Sequence, residues 1–278
     1  MDTLYQEQID THNRSALPLG RVLDRLTAIS LAEMNAVHLL NRIDTKFVLR
    51  EDQALAALTE LRDRYRVLDI DGRRYNHYQT LYYDTDDFSL FQQHHAGAGT
   101  RYKVRSRAYI ESNLSFLEVK RKQPANQRTV KNRLRTPEMV VGLDGNVGGF
   151  LQQFYPFDPG RLETRLWNTF TRITLVSSVR CERLTLDFNV RFQNDESAAS
   201  LRGVTIVEVK QENLSRDSDW MRAMRSLGIR PTGFSKYCVG VTLVYPQVKT
   251  NHFRAKVLLM ERLLQDSRHG GRYHRVPF

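Results

Sequence analysis

Alternation constrains this chain more than any other feature. In one strand-length segment after another, every second residue is charged or hydroxylated and many of the residues between are apolar. "RYKVRSR" (101–107) puts Lys103, Arg105 and Arg107 on one face of a strand and Tyr102, Val104 and Ser106 on the other. "FLEVKRK" does the same with Glu118, Lys120 and Lys122, and "VKNRLR" with Lys131, Arg133 and Arg135. "ERLTLDF" sets Arg183, Thr185 and Asp187 against Leu184, Leu186 and Phe188. "VEVKQE" aligns Glu208, Lys210 and Glu212, "DTKFV" offers Asp44 and Lys46, and in "FTRIT" Arg172 shares a face with Phe170 and Thr174. Same-face neighbours on a strand lie roughly 7 Å apart, so rows of like charge repel.

Two sheet architectures accommodate such rows. In the first, each charged face is the solvated side of an antiparallel sheet. A solvated face ordinarily mixes both signs, because like charges across neighbouring strands destabilise. Here the faces are biased toward bases with a few fixed acids. In the second, the sheet closes on itself, with helices over an apolar outside and the charged rows inside. Such a lumen requires a polyanion to neutralise it, helped by a metal held on the few acids.

The rest of the chain supplies helices. The spacing predicts a helix from Arg21 to about Leu40, and a second over 51–68, opened by Glu51 and Asp52. A short helix or turn is expected in 86–100, with His94 and His95 in its Gly-rich bend, and helix and loop in 137–156. A helix capped by Ser218 is expected over 218–229, and another over 252–266. The expected class is α+β, with about eight strands. Residues 1–20 read as an N-terminal arm, 21–250 as one domain, and 251–278 as a C-terminal helix and basic tail.

A chain of 278 residues buries a sizeable core without staples. Its two cysteines, Cys181 and Cys238, are too few for a disulfide framework and are expected in the core. It has no run of about 18 apolar residues to cross a membrane and no secretory h-region, so a cytoplasmic location is expected. Lys and Arg total 42 against 31 acids, a net charge of +11, which favours anionic partners. Specific nucleic-acid binding is not expected: there is no helix-turn-helix, zinc or RNP signature, and the bases alternate within strands.

The segments "RIDTKFV", "LYYDT", "YKVRSRAY", "FLEVKRK", "VKNR", "FTR", "RLTLD", "VEVK" and "FSKY" occur in this order over roughly residues 25–245. Together they resemble the VTC domain, the polyphosphate polymerase domain of the triphosphate tunnel (CYTH-like) superfamily. The resemblance implies an eight-stranded antiparallel barrel, the triphosphate tunnel, flanked by helices. It also implies transfer of the γ-phosphoryl of ATP onto polyphosphate with Mn²⁺ or Mg²⁺. Lys46, Arg105, Arg107, Lys120, Arg172 and Lys236 match the catalytic positions. Lys131, Arg133, Arg183 and Ser235 match substrate-binding positions, with Lys122 and Lys210 on the same faces and Lys103 at the tunnel mouth. Glu208 matches the metal-binding glutamate, with Asp187 and Glu118 as further candidates. Gly233 stands where eukaryotic relatives carry a lysine, and Phe170 where they carry a tyrosine. The expected partners are ATP and polyphosphate, or another triphosphate-bearing small molecule. A membrane-protein partner is compatible with this, and the oligomeric state is open. The alternatives are a metal-dependent tri(poly)phosphatase of the same fold and a non-catalytic polyphosphate- or polyanion-binding module.

Overall fold

The structure is a computed structural model that describes residues 19–36, 42–123, 129–266 and 276–277. The strands are β1 (Thr27–Ile29), β2 (Ile43–Arg50), β3 (Tyr65–Leu68), β4 (Asn76–Asp84), β5 (Arg101–Tyr109) and β6 (Leu114–Lys122), followed by β7 (Thr129–Thr136), β8 (Glu163–Ser177), β9 (Glu182–Gln193), β10 (Ser197–Ser200), β11 (Val204–Gln211) and β12 (Val276–Pro277). The helices are α1 (19–24), α2 (Leu31–Ala36), α3 (Glu51–Glu60), α4 (Ser89–His95), α5 (Asn146–Phe154), α6 (Asp219–Ser226), α7 (Lys236–Val244) and α8 (Arg254–Asp266). The chain divides into two compact units, and the long strands β8 and β9 change unit at Arg172/Ile173 and Asp187/Phe188.

The first unit takes the described residues of 1–75, 173–187 and 205–233. Here β1 runs parallel to β3, β3 pairs antiparallel with the end of β8, and β11 lies between β2 and the start of β9. The helix expected from Arg21 to Leu40 is broken. Ile29 is buried in a strand opposite Leu68, and the helix restarts at Leu31 behind a reciprocal cap. Ser30 N–H donates to Glu33 Oε2 at 2.9 Å, and Glu33 N–H donates to Ser30 Oγ at 3.3 Å. The second expected helix ends at Glu60. Residues 65–68 form a strand because Tyr65 and Val67 bury the β-face, and the Tyr65 hydroxyl donates to Glu182 at 2.5 Å. Ser218 caps α6 as expected, its hydroxyl accepting from Met221 N–H, with Trp220 and Met224 buried.

The second unit takes 76–172, 188–204 and the described residues of 234–278. Its sheet has the order β8-β4-β5-β6-β7, antiparallel throughout. One face is apolar: Leu81, Tyr83, Tyr102, Val104, Leu117 and Val119 pack with Leu151 and Tyr155 on and beside α5. The end of β9 pairs with β10, which pairs with β12. Helix α7 packs so closely that a Cβ on Gly240 would meet Leu166 at 2.5 Å and Phe192 at 2.6 Å. His94 and His95 form the last turn of α4, not a bend. Cys181 is exposed and Cys238 buried.

The α+β class, an antiparallel sheet with flanking helices, is as expected. The eight strands expected in a closed barrel do not form a ring of pairings among the described residues: β7 is paired on one side only, to β6. It is a largely exposed strand carrying Lys131, Arg133 and Arg135, and basic edge strands resist further pairing. The tail "RHGGRYHR" and most of the N-terminal arm lie outside the described residues.

Candidate functional site

The other face of the second unit's sheet is polar, and the strand register decides what each base meets. Arg105 stands between Tyr82 on β4 and Glu118 on β6. Its Nε donates to Glu118 Oε2 at 2.7 Å and its Nη2 lies 2.5 Å from the same oxygen. Lys131 Nζ approaches the other carboxylate oxygen at 3.4 Å. Glu118 is wholly buried. Burial alone would push its carboxyl up, but Arg105, Lys120, Arg107 and Lys131 hold it well below the usual carboxylate range. Both oxygens of Glu118 thus serve as internal counter-charge.

Arg107 is also buried, but its Nε donates to the Thr80 hydroxyl at 3.1 Å, not to a carboxylate. Burial, and then the neighbouring Arg105, lower its pKa. Its guanidinium lies 5.5 Å from both the Tyr78 and Phe170 rings, which stack at 5.0 Å. Arg172 sits over the same pair at 5.0 and 5.2 Å, and Lys236 over Phe170 at 4.4 Å. Arg133 lies 4.8 Å from the Phe116 ring. An aromatic floor therefore underlies these guanidinium and ammonium groups.

One rung of this face is entirely lysine. Lys103, Lys120 and Lys131 are directly opposite one another on β5, β6 and β7. Lys103 Nζ donates to Ser235 Oγ at 3.0 Å, and that same hydroxyl caps α7 by accepting from Cys238 N–H at 3.2 Å. The half-buried Lys120 amine loses water and faces Arg105, Arg107 and Lys131. These effects lower its pKa well below the ordinary 10.5, against the opposing pull of Glu118. Lys122 lies opposite Arg101 and Thr129. With Lys103 and Arg101 it surrounds His94, whose pKa falls to about 2, first through burial and then through Lys103. His94 stays neutral, and its Nε2 must carry the hydrogen it shares with the Tyr102 carbonyl at 3.1 Å.

The first unit holds a different cluster. On β11, Glu208 stands opposite Thr185 and Lys210 opposite Arg183, with Asp187 buried further along β9 on the same face. Lys46 on β2 lies 3.6 Å from Glu208, and Lys210 binds Glu208 and lies 3.8 Å from Asp44. Arg42 Nε donates to Asp44 at 3.1 Å, so two carboxylates are interleaved with two ammonium groups and a guanidinium. The buried Thr185 hydroxyl, directly across from Glu208, has no hydrogen-bond partner among the described residues. No group of three or more His, Cys, Asp or Glu gathers among the described residues. The donor set still fits Mg²⁺ or Mn²⁺. Hard carboxylate oxygens at Glu208 and Asp44 suit such an ion, which ordinarily takes one or two carboxylates and completes its shell with water and phosphate.

The structure therefore brings Lys103, Arg105, Arg107, Glu118, Lys120, Lys131, Arg133, Arg172, Ser235 and Lys236 onto or beside one face in the second unit. It groups Lys46, Glu208 and Lys210 in the first, with Arg183 and Asp187 on the adjoining strand. Sequence reasoning passed over Tyr78, Thr80, Tyr82, Phe116 and Asn168. Their signal was available as alternation in "YNHYQTLYYDT", where Tyr78, Thr80 and Tyr82 share a face. Asn168, opposite Thr80, leaves its buried Oδ1 without a partner among the described residues.

The family model for the VTC domain matches residues 41–245. No match to a curated protein was found. Among solved structures, a "putative adenylate cyclase" from Bacillus halodurans is 15% identical with a TM-score of 0.46; the match covers 70% of this chain and 96% of that one. A "putative adenylate cyclase" from Vibrio parahaemolyticus is 13% identical with a TM-score of 0.40, over 71% and 97%. A Pyrococcus horikoshii protein is 14% identical with a TM-score of 0.40, over 72% and 98%. No helix among the described residues is long and apolar enough to cross a membrane.

Proposed function

The chain belongs to the VTC domain family, and from that premise we propose that it is a polyphosphate polymerase-like phosphotransferase. It moves the γ-phosphoryl of ATP onto a polyphosphate chain held along basic strand faces. The observation that carries this reading is the lysine rung, Lys103–Lys120–Lys131, beside buried Arg107. Like charges directly across strands destabilise a sheet. A phosphate chain turns that cost into binding, because each phosphoryl unit adds negative charge to a rung that Glu118 offsets only in part.

Phosphoryl transfer asks the protein mainly for positioning and neutralisation. Arg107, Arg133 and Arg172 present guanidinium forks suited to bidentate phosphate contacts, with Arg105 held beside them by Glu118. Lys103, Lys120, Lys122, Lys131 and Lys236 act as point charges along the chain. Ser235 orients Lys103. In the other cluster Lys46, Arg183 and Lys210 contact phosphate oxygens, while Glu208, with Asp44 and Asp187 nearby, holds the divalent ion. That ion, Mn²⁺ or Mg²⁺, supplies Lewis-acid polarisation of phosphate oxygens when bound. A terminal phosphate acceptor is already ionised near neutrality, so the transfer needs no strong general base.

The test is incubation with ATP and Mn²⁺, with and without a short polyphosphate primer, following chain growth and ADP. Chain growth with ADP is the expected result. ADP and free phosphate without chains would replace this reading with a tri(poly)phosphatase. Tight triphosphate binding without turnover would replace it with a binding module.

A further inference from the structure

A second group of cations lies in the first unit, outside both clusters described above. A cleft of about 230 Å³ is lined by Arg21, Val22 and Arg25 on and just after α1, and by Thr59 and Arg62 at the end of α3. Three of its five lining residues are arginines and none is acidic. The local folding leaves them there. Leu23 and Leu26 are buried, which leaves Arg21 and Arg25 exposed at the cleft wall. Ala57, Leu58 and Leu61 fix α3 in the same way, with Arg62 exposed beyond them. The α1 wall is anchored by Arg74, whose Nη1 donates to the Leu23 carbonyl at 2.6 Å and the Leu26 carbonyl at 3.1 Å, while its Nε donates to Asp69 at 3.2 Å. Arg62 has one ion pair, with its own neighbour Asp63 at 3.5 Å, and both side chains are well exposed. Three arginines thus line one cavity with no carboxylate in its lining.

We propose that this cleft is an anion site for a short inorganic oligophosphate. Guanidinium forks select phosphate by paired N–H···O bonds. The cavity is smaller than the 300–1,000 Å³, or about that, typical of drug-sized ligands, which favours a diphosphate- or triphosphate-sized anion over a nucleotide. The site does not depend on the polymerase reading, because it shares no residue with the basic sheet face or with Glu208.

Calorimetric titration of the full chain with inorganic tripolyphosphate, in metal-free buffer at physiological salt, tests it. The native protein is compared with Arg21→Ala/Arg62→Ala, with Arg172→Ala/Lys236→Ala, and with the quadruple variant, each checked for native circular dichroism. The cleft predicts that Arg21→Ala/Arg62→Ala loses one class of binding or weakens it at least tenfold. The Arg172→Ala/Lys236→Ala variant should retain that class, and the quadruple variant should lose it. Identical isotherms for native protein and Arg21→Ala/Arg62→Ala would overturn the proposal. So would binding that vanishes in Arg172→Ala/Lys236→Ala alone, a result that leaves the polymerase reading standing. If instead Arg172→Ala/Lys236→Ala binds like the native protein and Arg21→Ala/Arg62→Ala does not bind, the cleft stands and the assignment of the basic sheet face fails.

Discussion

The tripeptide Glu-Val-Lys occurs twice, at 118–120 in β6 and at 208–210 in β11, and the two copies do opposite work. Glu118 is opposite Arg105 on one side and Arg133 on the other, with no exposure at all. Glu208 is opposite a threonine, its side chain is 20% exposed, and its neighbours are lysines that reach it from β2 and from its own strand. The first glutamate is consumed in holding a guanidinium. The second faces a lysine with each oxygen, Lys46 at Oε1 and Lys210 at Oε2, in a cluster that solvent reaches. The lysines diverge as well: Lys120 faces two further lysines, whereas Lys210 sits between Glu208 and Asp44. Identical local sequence thus acquires different chemistry from its cross-strand neighbours alone.

The same substitution at both sites is the sharpest way to break this contrast. Glu118→Gln keeps shape but leaves Arg105 buried without its counter-charge, so it should cost about 3–5 kcal/mol of stability. Denaturant unfolding measures this, and a loss under about 1 kcal/mol would mean that Arg105 is solvated and the contrast is false. There is a pH corollary. The pKa of Glu118 is depressed in the folded state, so its contribution is present above the ordinary carboxylate range and is lost as pH falls through the depressed value. Glu118→Gln should therefore flatten the acid limb of the stability curve.

Glu208→Gln should leave stability within about 1 kcal/mol, because a partly exposed ion pair contributes little. On the proposed metal role its effect belongs to turnover. Removing a ligand of a Lewis-acid ion should lower metal-dependent turnover over a hundredfold, about 2.7 kcal/mol of transition-state stabilisation. Raising Mn²⁺ should recover part of it. Full activity at low Mn²⁺ in this variant would move the metal role to another residue.

A smaller effect separates the two lysines. In the folded state the pKa of Lys120 is depressed, so the unfolded chain binds a proton there that the native protein does not. Stability should therefore rise with pH between the depressed value and about 10.5, with a limiting slope of about 1.4 kcal/mol per pH unit for one proton. Saturating tripolyphosphate should reduce the slope, since the bound anion lets Lys120 keep its proton. Denaturant midpoints at several pH values, compared between the native protein and Lys120→Met, read this out. Equal slopes in the two proteins would show that Lys120 remains charged in the free state.

The charged faces were legible in the sequence because a strand has period two and a turn does not disturb it. Which charges stand opposite one another was not, because register depends on hairpin geometry and on partners far along the chain. Arg105 and Glu118 were both visible as charged, but their pairing across β5 and β6 was not. The aromatic floor escaped notice because Tyr78, Tyr82 and Phe116 read as ordinary β-formers until the cations above them were placed. The break between α1 and α2 was within reach. Ser30 and Glu33 have the spacing of a reciprocal helix cap, but the apolar residues on both sides continue the 3.6 spacing and mask it. The early end of the second helix, at Glu60, had a weaker signal, since "YRVL" is too short to decide between periods.

The smallest predicted effect concerns how α7 is tied to the lysine rung. Ser235 Oγ accepts two hydrogen bonds, one from Cys238 N–H at 3.2 Å and one from Lys103 Nζ at 3.0 Å. Ser235→Ala removes both, and loss of the cap should cost about 1 kcal/mol. Ser235→Asp keeps an acceptor for the helix and adds a carboxylate beside Lys103. If the hydroxyl only caps the helix, Asp should restore stability and leave tripolyphosphate affinity unchanged. If it also orients Lys103 toward the ligand, Asp should restore stability while weakening tripolyphosphate binding, because Lys103 then has a permanent anionic partner. The second outcome is expected. Stability and affinity that recover together would confine Ser235 to capping and would remove Lys103 from the rung as a phosphate contact.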